Sequence, residues 1–194
     1  FSSSCSLYGD VDKLPVNEKS QCSPTTLYGV NKLTSEFYSK IYNNVYGLDT
    51  SIFRITNSFG PREQVIPKKN AVNYLIHQAF NGKKITIYNK GKFFRDLIYI
   101  SDVVNGINKI ITKGKSGELY WISSFKKTWF YDLGNWLEKF TESKIEYLET
   151  PSYTKKTDVG NFIVNNKKLC SLGWKPNVSL ESGIKKTLQY FKEN

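Results

Sequence analysis

The chain has 194 residues, 39% of them hydrophobic and 15% aromatic, with a formal net charge of +11. This length and balance give a folded core and exclude a disordered chain. No apolar run approaches the roughly 18 residues that cross a membrane, and the opening FSSSCSLYGD lacks the basic start and long apolar stretch of a secretion signal. A cytoplasmic protein with no membrane partner is expected. The charge comes almost wholly from Lys, with Arg54, Arg62 and Arg95 the only arginines, and its longest runs are Lys-Lys doublets rather than an Arg-rich or aromatic-interleaved stripe. Nucleic-acid binding is therefore not expected, although the excess charge attracts anionic ligands. Cys5, Cys22 and Cys170 are odd in number and far apart, which provides neither a disulfide framework nor a CxxC metal site, and His77 is the single histidine. Free thiols, a structural His77 and no metal are the expectation.

In chain order, FSSSCSLYGD reads as the end of a strand entering a loop, and Pro15 and Pro24 mark an irregular connection. From Thr25 or Thr26 as N-cap, apolar Leu27, Val30, Leu33, Phe37, Ile41 and Val45 recur at the spacing of an amphipathic helix, which Gly47 stops. TSIFRITNSFGP predicts a strand ended by Gly60-Pro61, and NAVNYLIHQAFNG a helix from cap Asn70 to Gly82. KITIYNKGKFFRDLIYI predicts two strands around a turn at 89–91, and SDVVNGINKIITKG a helix capped by Ser101 or Asp102. A strand at GELYWIS, a helix at WFYDLGNWLEKFT, a strand at KIEYLET and a final helix from Leu180 to Phe191 complete the alternation, so the class is α/β. No Gly triplet of the dinucleotide-binding type and no P-loop is present.

With 13 Tyr in a Lys-rich chain, chance alone supplies about two Tyr-x-x-x-Lys pairs. Tyr88/Lys92 falls across the predicted turn, where Gly91 breaks any helix. Tyr28/Lys32 sits in the first turns of a strongly periodic helix, where residues four apart are neighbours. An ammonium beside a phenol favours phenolate, and such a phenol can take the proton of a sugar hydroxyl while hydride leaves the same carbon. The serine run just upstream offers hydroxyls to hold that oxygen.

The order FSSSCSLYGD, YGVNKLTSE, FRITNSFGPR, RDLIYISDVV and LGWKPNVSLESGIKKTLQYF closely resembles extended short-chain dehydrogenases/reductases, the NAD-dependent nucleotide-sugar epimerase/dehydratase family, over nearly the whole chain. The resemblance implies the C-terminal part of a doubly wound Rossmann-type parallel sheet plus a small α/β substrate-binding domain. Residues 1–60 would carry the last strands and the Tyr/Lys helix of the dinucleotide-binding domain, and 61–194 mainly the nucleotide-sugar domain. The Gly-rich unit that binds NAD would precede Phe1. Position by position, the resemblance makes Tyr28 the general acid/base, Lys32 its partner and the binder of the nicotinamide ribose, Ser4 the hydroxyl shared with substrate, and Ser6 a further substrate-binding residue. It places Ser2 and Ile55 near the nicotinamide, Asn57 at the substrate's phosphates and Arg95 on the diphosphate, a task suited to a planar bidentate donor. Gln64, Val65, Thr86, Ile87 and Tyr88 line the nucleotide pocket. NAD is the implied cofactor, with NADP the alternative, and the partners are a nucleoside-diphosphate sugar and a second copy in a homodimer built on the Tyr/Lys helix.

Two departures bear on the reaction. Lys155 and Asp158, in KKTDVG, stand where the family carries an Arg-x-Gly-Asp-like element, and Lys lacks the arginine fork. The 4,6-dehydratases place an acid just before the VYG-like element, where this chain has Ser6. Water elimination needs such an acid, so epimerisation is favoured, with reduction, dehydration or a non-catalytic sugar-nucleotide-binding module as alternatives. Asp96 and Asp102 read as structural.

Overall fold

The computed structural model describes residues 1–9, 11–66, 70–149 and 160–194. β1 (Ser2–Ser4) passes into a 3-10 turn (Cys5–Leu7), and an irregular connection leads to α1 (Leu27–Tyr46). Thr26 starts α1 because its hydroxyl accepts from the Gly29 N–H, and Gly47, at φ 68°, ends it in the left-handed conformation that suits glycine. β2 (Ile52–Ile55) and β3 (Asn57–Phe59) follow with only Thr56 between them, so the single strand expected from TSIFRITNSFGP is two. α2 (Ala71–Phe80) is capped by Asn70, whose side chain accepts from the N–H groups of Val72 and Asn73.

Next come β4 (Ile85–Tyr88), a tight turn at 89–91, β5 (Phe94–Tyr99), α3 (Ile100–Lys113) and β6 (Leu119–Ile122). α3 begins directly after β5, and no side chain caps it. The cap expected from Ser101 or Asp102 is thus absent: the Asp102 carboxylate instead accepts from the N–H groups of Asn177 and Val178, tying α3 to the loop before the last helix. β7 (Lys127–Trp129), α4 (Phe130–Phe140), β8 (Ile145–Leu148), the short α5 (Lys167–Cys170) and α6 (Leu180–Glu193) complete the order.

The strands form three small sheets. β1, β2 and β6 are parallel and lie in that order, pairing Ser3 with Arg54 and Arg54 with Trp121. β3 pairs parallel with β5, which pairs antiparallel with β7, and β4 pairs parallel with β8. The chain crosses from the first sheet to the second at Thr56, whose hydroxyl donates to the buried Asp96. Three apolar clusters fill the interior. One joins Phe59, α2, α4 and α6, one packs α3 and Trp174 on Ile98 and Ile122, and one gathers Leu7, Tyr8, Val16, Trp121, Phe162 and Val164.

α1 departs from the rule that an apolar stripe faces the core. Leu27, Phe37 and Val45 are 84%, 56% and 69% exposed, whereas the residues it buries are Gly29 and Glu36. Among the described residues no helix is long and apolar enough to cross a membrane, and no cluster of three or more His, Cys, Asp or Glu forms a metal site. The cysteines are free, and the His77 ring meets Phe191 edge-on.

Candidate active site

The serine run enters the site through local hydrogen bonding. The Ser4 hydroxyl accepts from the Ser6 N–H, capping the 3-10 turn, and donates to the Ser6 hydroxyl at 3.1 Å. α1 lies against this turn because residue 29 is glycine: a Cβ there would stand 2.1 Å from the Ser6 carbonyl oxygen. Tyr28 precedes that contact and Lys32 follows it by about one turn of helix. The Lys32 ammonium donates to the Ser2 carbonyl at 2.8 Å and lies 5.7 Å from the centre of the Tyr28 ring. Tyr28 is 55% exposed.

One turn beyond Lys32, Glu36 is buried in a forked ion pair with Arg54, at 2.8 Å from Nε and 2.6 Å from the second guanidinium nitrogen. The remaining fork of Arg54 donates to the Tyr8 phenol at 2.6 Å. Burial alone would push the Arg54 pKa down, but the Glu36 hydrogen bond and the neighbouring Tyr8 leave it above its ordinary value. Burial drives the Tyr8 phenol up, only partly opposed by Arg54.

Beside the serine turn opens a cleft of about 880 Å³. It brings together Ser4, Ser6, Asn57, Thr86, Ile87, Tyr88 and Arg95 of the residues expected at the site. Ser2, Tyr28, Lys32, Ile55, Gln64 and Val65 are not among its lining residues, and Lys155 and Asp158 lie outside the described residues. Arg95 is buried on β5, donates to the carbonyls of Phe94 and Gly160, and has its guanidinium 5.2 Å from the Phe93 ring. Two cationic side chains, Arg95 and Lys84, line the cleft, and none of its described lining residues is Asp or Glu. Cys5 also lines it, and burial pushes that thiol up to about 11, which keeps it protonated at neutral pH.

The neighbouring Asp96 is fully buried. It accepts from the Ser124 N–H and hydroxyl and from the Val164 N–H, and burial raises its carboxyl to about 6 against these bonds. This agrees with the structural reading of Asp96 and Asp102. The sequence reading did not single out Gly29, Glu36, Arg54 or Tyr8. A charged residue at the next turn after a Tyr/Lys pair, and an arginine three residues before Asn57, were the available signals.

Parallel strands with crossover helices, a phenol and an ammonium four apart on a helix, and serine hydroxyls beside a cationic cleft define a Rossmann-type protein of the short-chain dehydrogenase/reductase kind. The profile of the family described as GDP-mannose 4,6 dehydratase matches residues 1–187, and the chain belongs to this family, within the extended short-chain dehydrogenases/reductases. A putative UDP-glucose 4-epimerase of Methanocaldococcus jannaschii is 29% identical over 195 residues, covering 100% of this chain and 62% of that protein. A dTDP-D-glucose 4,6-dehydratase of Mus musculus is 30% identical over 200 residues, covering 97% of this chain and 54% of the relative. A solved UDP-glucose 4-epimerase from Thermotoga maritima, with UDP-glucose, superimposes with a TM-score of 0.90 at 28% identity, over 100% of this chain and 62% of that one. The chain thus spans less than two thirds of the length of these relatives.

Proposed function

We propose that this chain is the carboxy-terminal part of an NAD-dependent nucleotide-sugar epimerase. The carrying observation is the cleft: Arg95, and Lys84 with its ammonium 2.7 Å from Glu146, supply cationic donors suited to a diphosphate, Ser4 and Ser6 supply hydroxyls, and no carboxylate is among its described lining residues. Elimination of water needs an acid beside the sugar. Cys5 and Ser6, the last residues before the Leu-Tyr-Gly element, provide none. Dehydration is the second reading, favoured by the family's description and by the dehydratases among the relatives.

In the proposed reaction the Tyr28 phenol takes the proton of the reacting sugar hydroxyl and later returns it, while the Ser4 hydroxyl holds that oxygen. Lys32 keeps one N–H on Ser2 and has further donors for a ribose diol, so the residues present suit the nicotinamide end of NAD, with Ser2 on β1 and Ile55 on the paired strand β2. NAD, when bound, accepts and returns hydride. Asn57 and Arg95 hold the phosphates, and Thr86, Ile87 and Tyr88, together with Gln64 and Val65, receive the nucleoside. Lys155 and Asp158 belong to the same proposal.

The division near residue 60, with the dinucleotide-binding part before it, is supported by the crossing between sheets at Thr56. β1 pairs on one side only among the described residues, which leaves an edge for further parallel strands. The exposed stripe of α1 supports a homodimer across this helix. The test is turnover by the complete protein given UDP-, dTDP- and GDP-sugars. Tyr28→Phe should lower kcat by about 10²-fold or more with a bound cofactor retained; an unimpaired variant sinks the assignment.

A further inference from the structure

We propose that Arg54 is the hub of a positioning device that locks the helix carrying Tyr28 and Lys32 to the turn carrying Ser4 and Ser6. The inference rests on the function proposed above for those four residues, and it assigns roles to Glu36, Arg54 and Tyr8.

α1 has little apolar hold on the protein. Of its apolar stripe Leu33 packs on the Tyr8–Trp121–Phe162 cluster and the rest faces outward, and the two residues it buries are the glycine that lets it touch Ser6 and the glutamate that meets Arg54. Contact with the turn at Gly29 fixes how closely the helix approaches, and the Lys32 bond to Ser2 and the Asn43 bond to Ser116 tether it through exposed side chains that leave it some freedom to rotate. A forked carboxylate–guanidinium pair two turns further on removes that freedom, because its two parallel bonds, at 2.8 and 2.6 Å, are directional in both distance and plane. Tyr28, Lys32 and Glu36 stand four apart, on one side of the helix. Holding Glu36 therefore sets the azimuth of the other two.

The third arm reaches the serines. Tyr8 is joined to the 3-10 turn by its N–H on the Cys5 carbonyl, and its phenol receives the remaining Arg54 fork at 2.6 Å. Its ring packs on Trp121 and Phe162, and the Arg54 guanidinium lies 5.6 Å from the Tyr8 ring and 5.7 Å from that of Trp121. Arg54 itself sits on the central strand of its sheet, with Ser3 and Trp121 opposite it in register. Helix, strand and serine turn thus converge on one guanidinium, which is 4% exposed.

A role in positioning separates from a role in stability when the pair is replaced by apolar residues, since such replacements of buried ion pairs leave a fold equally or more stable. In the complete protein, Glu36→Met with Arg54→Met should keep the melting temperature while kcat falls about 10- to 100-fold, with KM for the nucleotide sugar within about threefold. Tyr8→Phe alone should lower kcat about threefold in the same sense, and it stands as the test should the double variant not fold. A folded double variant with kcat within about twofold of the parent overturns the hub. If the parent turns over no nucleotide sugar, the proposed function fails instead, and hydrogen exchange reads the hub directly. Exchange in the first turns of α1 and in residues 5–8 should then rise together in the double variant, and a rise in only one of the two segments, or in neither, refutes the coupling.

Discussion

α1 and α4 are written in the same hydrophobic period and use it in opposite ways. α4 turns Phe130, Leu133 and Leu137 into the core, the last two fully buried. α1 turns its stripe, Leu33 excepted, outward and buries a glycine and a glutamate. The first helix is held by apolar area, which is non-directional and strong. The second is held at a close backbone contact and a buried ion pair, which fix geometry more than they add stability. A helix that must present a phenol and an ammonium at set angles gains from the second arrangement, and its free stripe remains for another surface.

The largest effect should come from α4. Leu137→Ala leaves a cavity in the main apolar cluster and should cost about 2–5 kcal/mol in denaturant unfolding. Gly29→Ala strikes the geometric contact instead. The new methyl meets the Ser6 carbonyl at 2.1 Å, so the turn or helix must move, at a cost of about 1–3 kcal/mol. The accompanying loss of activity should exceed what stability explains. Loss of stability with unchanged activity would show that the approach of α1 to the serine turn does not matter to the site.

Between these regions lies Asp96, whose carboxyl is raised to about 6 by burial from an ordinary 3.8. The folded state therefore holds this proton more tightly than the unfolded chain does. Its contribution to stability is present in full below pH 4 and is lost as pH rises through 6. The difference in unfolding free energy between the protein and Asp96→Asn should shift by roughly 2 kcal/mol between pH 4 and pH 7, favouring the parent at the acid end. A flat difference would contradict the burial argument. The smallest effect is expected on the outer stripe: Phe37→Ala should change monomer stability by no more than about 0.5 kcal/mol. Phe37→Asp should nevertheless dissociate a dimer in sedimentation, and an undisturbed dimer would place the subunit contact elsewhere.

Much of this was legible in the sequence, and the reasons differ by element. Thr26, Asn70 and Gly47 act where their chemistry predicts, because caps are local. Ser101 and Asp102 misled because α3 starts straight from a strand, and Asp102 serves a loop 75 residues away. The stripe on α1 announced a helix without saying which face is covered, since periodicity encodes a face and not its partner. The seven expected residues lining the cleft came from collinear motifs, whereas Glu36, Arg54 and Tyr8 meet only in three dimensions. Their pairing depends on the register of β1 and β2, which neither segment carries alone.

The central claim is a reaction at the sugar carbon that inverts a centre and loses no water. Proton NMR of a nucleotide sugar incubated with the complete protein and catalytic NAD reads this directly. The account predicts an equilibrium mixture of two epimers with no net NADH. A 4-keto-6-deoxy product, or stoichiometric consumption of a reduced cofactor, would contradict it.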